Sequence, residues 1–285
     1  MRAALVIGVI LLAGCGAPEE RDDVSYDDRS DETKLDLYLP EGSGRRPAVM
    51  LVHPGGWRWP SGRYLMTAAA RRLANSGYVT ASIGYRLGDE GHFPRAVQDA
   101  WCALSFLRAH AGEYGIDVDR VAVLGYSAGG HSAAMLGTAP PDPSLDPDCA
   151  WGKTAPPRAV IAGAPVLDMR AYGDAFLVTG YMDGTADDKP AAYDLASPIR
   201  FVRPGLPPFL FVVGGGDAWV GPGDSRKMRD DLVAKGNFAR LLELGGGGHV
   251  LNPMGEGTLT WSMTLESPEA WLAIEDFLAR TIGKP

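Results

Sequence analysis

The chain has 285 residues, 46% of them hydrophobic, and a formal net charge of −8 at pH 7. That length and apolar content suffice for one substantial core, and one α/β domain is the default expectation. An acidic chain with no long run of Lys or Arg excludes nucleic acid and an anionic membrane surface as main partners.

The N-terminus stands apart. Met1-Arg2 is followed by an uncharged apolar run, Ala3 to Leu12, too short to span a bilayer as a mature helix but suited to a signal-peptide core. Leu12-Ala13-Gly14-Cys15 then resembles a bacterial lipobox, which makes residues 1–14 a lipoprotein signal peptide and Cys15 a lipidated N-terminus. An ordinary signal peptide cut nearby would leave Cys15 incidental. Residues 16–32, GAPEERDDVSYDDRSDE, are acidic and poor in apolar side chains, so 15–32 reads as a flexible tether and 33–285 as the folded domain. The anchor at Cys15 predicts an exported protein of the cell envelope, on its periplasmic or outer face, touching the membrane through that lipid alone. In an oxidising compartment Cys102 and Cys149 are expected to pair, the alternative being two separate buried thiols.

Leu35, Leu37 and Leu39 alternate with Asp36 and Tyr38, predicting a half-buried strand ended by Pro40. Continuous apolar runs follow at Ala48–His53, Tyr78–Ile83, Val121–Leu124, Arg158–Ala162, Phe209–Val213 and Ala239–Leu244. Such runs suit a mostly parallel sheet covered on both faces. Helical patterns lie between them at Tyr64–Asn75, Pro94–Ala111, Ala128–Leu136, Asp224–Lys235 and Ser267–Thr281. The alternation predicts an α/β fold with right-handed crossovers. Two stretches break the rhythm. Thr138–Pro157, rich in Pro and Asp, reads as a surface excursion, and Leu167–Pro208 as a small cap over the site.

In an open α/β sheet, ligands bind beyond the carboxyl ends of the strands, so residues just after each strand carry the information. Ser127 follows VAVLGY, Asp217 follows FLFVVGGG, and His249 follows ARLLELGGGG. Ser127 lies in G-Y-S-A-G between a strand and a helix, the context a nucleophile turn requires. Ser127 would attack a carbonyl carbon, His249 would take its proton and return it to the leaving group, and Asp217 would hold the imidazole. AVMLVH runs into Pro54-Gly55-Gly56-Trp57. Pro54 has no N–H, so Gly55 and Gly56, with Ala128 after the nucleophile, are the candidate oxyanion donors. Trp57 and Trp219 are expected to flank the acyl carbon as a flat apolar platform, with Trp59 one step further out, unless the first two only pack the loops.

VMLVHPGGW, the stretch from ASIGYRL to GYSAGGHSAAML, FVVGGGDAWV and GGGGHV together resemble α/β-hydrolase esterases with a His-Gly-Gly-Gly oxyanion loop, near the feruloyl/acetylxylan and hormone-sensitive-lipase-like groups. The resemblance runs from about Leu35 to the C-terminal helix. It implies a mostly parallel sheet with helices on both faces and a small cap, and a serine hydrolase acting on small-molecule carboxylic esters without a cofactor. Pro54 departs from the first loop glycine, Tyr126 stands where lipase-like relatives often carry Asp, and the acid turn lacks a His-Gly before Asp217. Cleavage of amides by the same triad, and an inactive surface-binding lipoprotein, are the alternatives. His53 reads as a loop organiser, His131 as a packed core histidine, and His92 and His110 as partly exposed. Asp224, the competitor for the acid, reads as a helix cap. The five histidines show no metal-ligand spacing.

Overall fold

The computed structural model describes residues 17–58, 62–249 and 267–285. The signal peptide expected over 1–14, the lipidation site Cys15 and Trp59 lie outside the described residues. The described strands are β1 (Glu19–Ser25), β2 (Lys34–Leu39), β3 (Arg46–Val52), β4 (Val79–Ile83), β5 (Ile116–Tyr126), β6 (Ala159–Gly163), β7 (Phe209–Gly214) and β8 (Ala239–Leu244). They form one sheet in the order β1-β2-β4-β3-β5-β6-β7-β8. The six strands from β4 to β8 in that order are parallel, while β1 and β2 run antiparallel to their neighbours.

The described α-helices are α1 (Thr67–Asn75), α2 (Arg95–Ala109), α3 (Ala111–Tyr114), α4 (Ala128–Thr138), α5 (Phe176–Met182), α6 (Pro190–Leu195), α7 (Gly223–Ala234) and α8 (Pro268–Thr281). The chain steps from β3 out to β4, then back across β3 to β5. Right-handed crossovers therefore put α1 on one face and α2, α4 and α7 on the other. Alternation along each strand supplies both cores: Val121 and Val123 pack with α2 and α4, Ala122 and Leu124 with α1 and α8. The reversal of direction opens a crevice beyond the carboxyl ends of β3 and β5, where such sheets bind ligands.

The tether over 15–32 requires correction, because β1 occupies Glu19–Ser25 and pairs with β2. A backbone ladder needs no apolar side chain, and the acidic residues here find arginine partners: Glu20 with Arg71 and Asp23 with Arg63. Tyr26 then anchors the segment, fully buried, its hydroxyl donating to the Gly84 carbonyl at 2.8 Å. The folded sheet thus starts before Thr33. Cys102 and Cys149 form the expected disulfide, tying α2 to the excursion at 139–157. Ser267 caps α8 by accepting from the Ala270 N–H at 3.0 Å. Asp224 is not a cap: α7 begins at Gly223 behind Pro222, and the Asp224 carboxylate makes no capping bond.

Candidate active site

Ser127 sits between β5 and α4 with φ 54° and ψ −117°, a conformation that costs a non-glycine residue energy and marks a constrained turn. The turn holds through the Ser127 N–H donating to the Gly163 carbonyl at 2.8 Å and the Ser127 carbonyl accepting from His131 N–H at 2.9 Å. The flanking glycines are steric requirements. A Cβ on Gly125 would lie 2.0 Å from the Gly129 carbonyl oxygen, and one on Gly129 would lie 2.1 Å from that of Val52. The pentapeptide therefore presses α4 against the ends of β3 and β5.

Ser127, His249 and Asp217 meet as expected. The Ser127 hydroxyl donates to His249 Nε2 at 2.9 Å, and His249 Nδ1–H donates to Asp217 Oδ2 at 2.7 Å. The other carboxylate oxygen accepts from the backbone N–H groups of Trp219 and Val220 at 2.9 and 2.8 Å. The Asp217 side chain is fully enclosed and that of His249 is 10% exposed. A buried acceptor facing Nδ1 fixes the tautomer that leaves Nε2 free to take the serine proton. The two glycine-rich turns zip together, Gly216 N–H donating to the Gly247 carbonyl at 2.9 Å. Tyr126, the residue before the nucleophile, donates its hydroxyl to the main-chain carbonyl of His249.

Gly55, Gly56 and Trp57 follow β3 with consecutive positive φ values of 134°, 61° and 59°. Beneath them His53 is completely buried and donates from Nδ1 to the Pro54 carbonyl at 2.7 Å. Burial holds the imidazole down at about 4, so it is neutral at pH 7. Its ring stacks on Tyr85, with centroids 4.3 Å apart, and the Tyr85 hydroxyl donates to the His53 carbonyl at 2.9 Å. The next residue, Arg86, makes a bidentate pair with the fully buried Asp99. Ala128 opens α4, so its N–H has no partner within the helix and lies beside Ser127.

The expected cap is present as short helices, and α5 grips three successive residues of the loop after β3. A Cβ on Gly56 would lie 2.8 Å from Leu177 Cδ1, the Trp57 ring stacks on Tyr181 at 4.3 Å, and the Arg58 guanidinium lies 4.9 Å from the Phe176 ring. This corrects the placement of Trp57 as a substrate platform. Only 3% of it is exposed, because Tyr181 covers one face and His131 meets its edge. Trp219 differs, being 63% exposed with its ring 5.4 Å from that of His249. His131 is a packed histidine, its Nε2–H donating to the Ala196 carbonyl at 2.8 Å, and burial again lowers it to about 4. His110 bonds the Phe106 carbonyl, and His92 lies 4.0 Å from Asp89.

Asp224 faces elsewhere, one carboxylate oxygen enclosed without a hydrogen-bond partner among the described residues. Burial, with Asp168 nearby, pushes its carboxyl up. Among the described residues no cluster of three His, Cys, Asp or Glu could hold a metal ion. The contacts of Tyr126 and α5 escaped the sequence reading, since each joins positions over a hundred residues apart or crosses from the cap.

The BD-FAE family model matches residues 35–232. Esterase LipC of Mycobacterium tuberculosis is 31% identical over 225 residues, 75% of this chain and 56% of LipC. Carboxylesterase NlhH of the same species is 30% identical over 238 residues, 80% of this chain and 70% of NlhH. A solved structure described as a truncated form of a carbohydrate esterase from gut microbiota superposes with a TM-score of 0.82 at 21% identity, covering 95% of this chain and 99% of that one. At that identity the likeness shows the fold alone, the α/β-hydrolase fold.

Proposed function

The chain belongs to the BD-FAE family, and from that premise we propose that it is a serine esterase cleaving carboxylic esters through an acyl-enzyme. The observation carrying the reading is the unbroken chain from Asp217 through His249 to Ser127, with bonds of 2.7 and 2.9 Å. Ser127 Oγ attacks the ester carbonyl carbon while His249 Nε2 takes its proton. The oxyanion forms against the N–H groups of Gly55, Gly56 and Ala128, and the acyl–oxygen bond breaks as His249 returns the proton to the departing alcohol. Water, deprotonated by the same imidazole, then releases the acid. Asp217 stabilises the imidazolium throughout.

His249 delivers a proton to the leaving group, so the alcohol lies on the side of the exposed Trp219. That placement favours aryl or carbohydrate alcohols, which can stack on the ring. Leu177 crowding Gly56 favours short acyl groups. The membrane anchor belongs to the same proposal and rests on the lipobox at Cys15. The decisive experiment is fluorophosphonate labelling with mass mapping, joined to turnover of an acetate ester by the wild type and Ser127→Ala. Labelling confined to Ser127, with turnover falling by roughly 10⁴–10⁶ in the variant, is expected. An unlabelled wild type overturns the reading. For the substrate class, Trp219→Ala should reduce kcat/KM more for an aryl or acetyl-sugar ester than for ethyl acetate, and equal losses would refute the platform.

A further inference from the structure

His249 has an anchor at each end of the residue. Asp217 holds the ring, and the hydroxyl of Tyr126 holds the main-chain carbonyl. The second bond matters because of what precedes the histidine. Gly245, Gly246, Gly247 and Gly248 offer no side chain with which the loop could pack itself, and Gly246 adopts φ +75°. Glycine also gives up the most backbone freedom on ordering, so such a loop is poorly located by its own sequence.

Tyr126 has the opposite character. It ends β5, is 2% exposed, and packs in the core shared with α1 and α8. It is also the neighbour of Ser127 in the chain. The turn after β8 comes back to the end of β5, although β6 and β7 lie between the two strands in the sheet, and the Tyr126 and His249 ring centroids are 5.7 Å apart.

On the esterase reading above, we propose that Tyr126 is a positioning residue. Its hydroxyl ties the backbone of the general base to the strand that carries the nucleophile, so that Nε2 stays in register with Ser127 Oγ. It touches neither substrate nor the reacting atoms. Removing the hydroxyl alone releases the His249 carbonyl while leaving the ring in the core. A misplacement of about 1 Å at a reacting pair costs on the order of 100-fold in rate. Tyr126→Phe is therefore expected to lower kcat roughly 10- to 100-fold, with KM within about twofold and thermal stability nearly unchanged.

The test measures kcat, KM and thermal midpoint for the wild type and Tyr126→Phe on an acetate ester, with fluorophosphonate labelling of both. Unlabelled wild-type protein sinks the esterase reading itself. A labelled wild type with kcat unchanged in Tyr126→Phe sinks the positioning role and leaves the esterase standing. A KM rise without a kcat loss also sinks it. Two further proteins separate the hydrogen bond from packing, and they decide the matter if Tyr126→Phe does not fold. p-Aminophenylalanine at 126 keeps a donor, whereas p-methylphenylalanine matches its size without one. Recovery of kcat by the first alone supports the tether, and equal activity in the two overturns it.

Discussion

Replacing Asp217 by Asn tests the base–acid pair through a forced change of tautomer. Asp217 Oδ1 accepts two backbone N–H groups, from Trp219 and Val220. An asparagine must keep its carbonyl oxygen there, since turning the amide would set an NH₂ against both donors. Leaving two buried donors unmet costs roughly 2–6 kcal/mol in all, at about 1–3 each. The NH₂ group is thus held toward His249 Nδ1, where the wild type has an acceptor at 2.7 Å. Nδ1 must now accept, the ring proton moves to Nε2, and Nε2 can no longer take the Ser127 proton. In a serine protease the equivalent change costs about 10⁴ in kcat with the geometry intact, a barrier increase of about 5.4 kcal/mol. Steady-state turnover of an acetate ester, with the fluorophosphonate labelling rate of Ser127, measures the loss. Asp224→Asn is the control and should retain nearly full activity. If Asp217→Asn keeps more than about a hundredth of wild-type kcat, or Asp224→Asn does the greater damage, the reasoning fails.

Burial keeps His53 and His131 at about 4, whereas an unfolded imidazole titrates near 6.5. The unfolded state thus binds protons first as pH falls, so stability is complete above about pH 6.5 and declines through pH 4, by roughly 3 kcal/mol per histidine. Urea midpoints at pH 7, 5 and 4 should fall in that order, and midpoints independent of pH would refute the assignment. Cys102 and Cys149 are 47 residues apart, and opening their disulfide should cost about 4 kcal/mol in the chain-entropy model, measured as a loss of denaturation free energy in Cys102→Ser with Cys149→Ser. A double variant as stable as the wild type would show that the bridge adds nothing. Gly129→Ala places a methyl 2.1 Å from the Val52 carbonyl oxygen, so it should express as insoluble protein or lose several degrees in Tm together with activity. A soluble, fully active Gly129→Ala would disprove the close approach.

The parallel strands were the most legible elements. ARLLEL is β8 residue for residue, and FLFVV lacks only Gly214, the last residue of β7. β5 extends further back than VAVL, to Ile116, because Arg46 of β3 pairs opposite Ile116 and continues the ladder past the polar Asp117 and Asp119. β1 was hidden for the related reason that edge pairing is made by backbone, to which composition is blind. The three triad positions followed from strand ends and turn glycines, signals that lie within a few residues of each group. Trp57 misled because its neighbours give no hint of Tyr181, which arrives from the cap to cover it. Such long-range side-chain coverage leaves no local pattern to read.

β1 also sets a direction. Glu19 pairs with Leu39, at the edge where Ala48, Val79 and Val121 lie side by side, whereas Ser127 stands at the opposite rim of the sheet. Six residues from Val121 to Ser127, at about 3.3 Å each, separate the two rims by roughly 20 Å. A lipid on Cys15 would be joined to Glu19 by a leash of about 14 Å at full stretch. The body of the protein would then rest against the bilayer on its lower rim, with the mouth of the catalytic crevice turned to the water. On the proposed anchoring, the crevice of the proposed esterase would open toward dissolved esters, and the acyl chains of the bilayer would lie beneath the sheet, out of its reach.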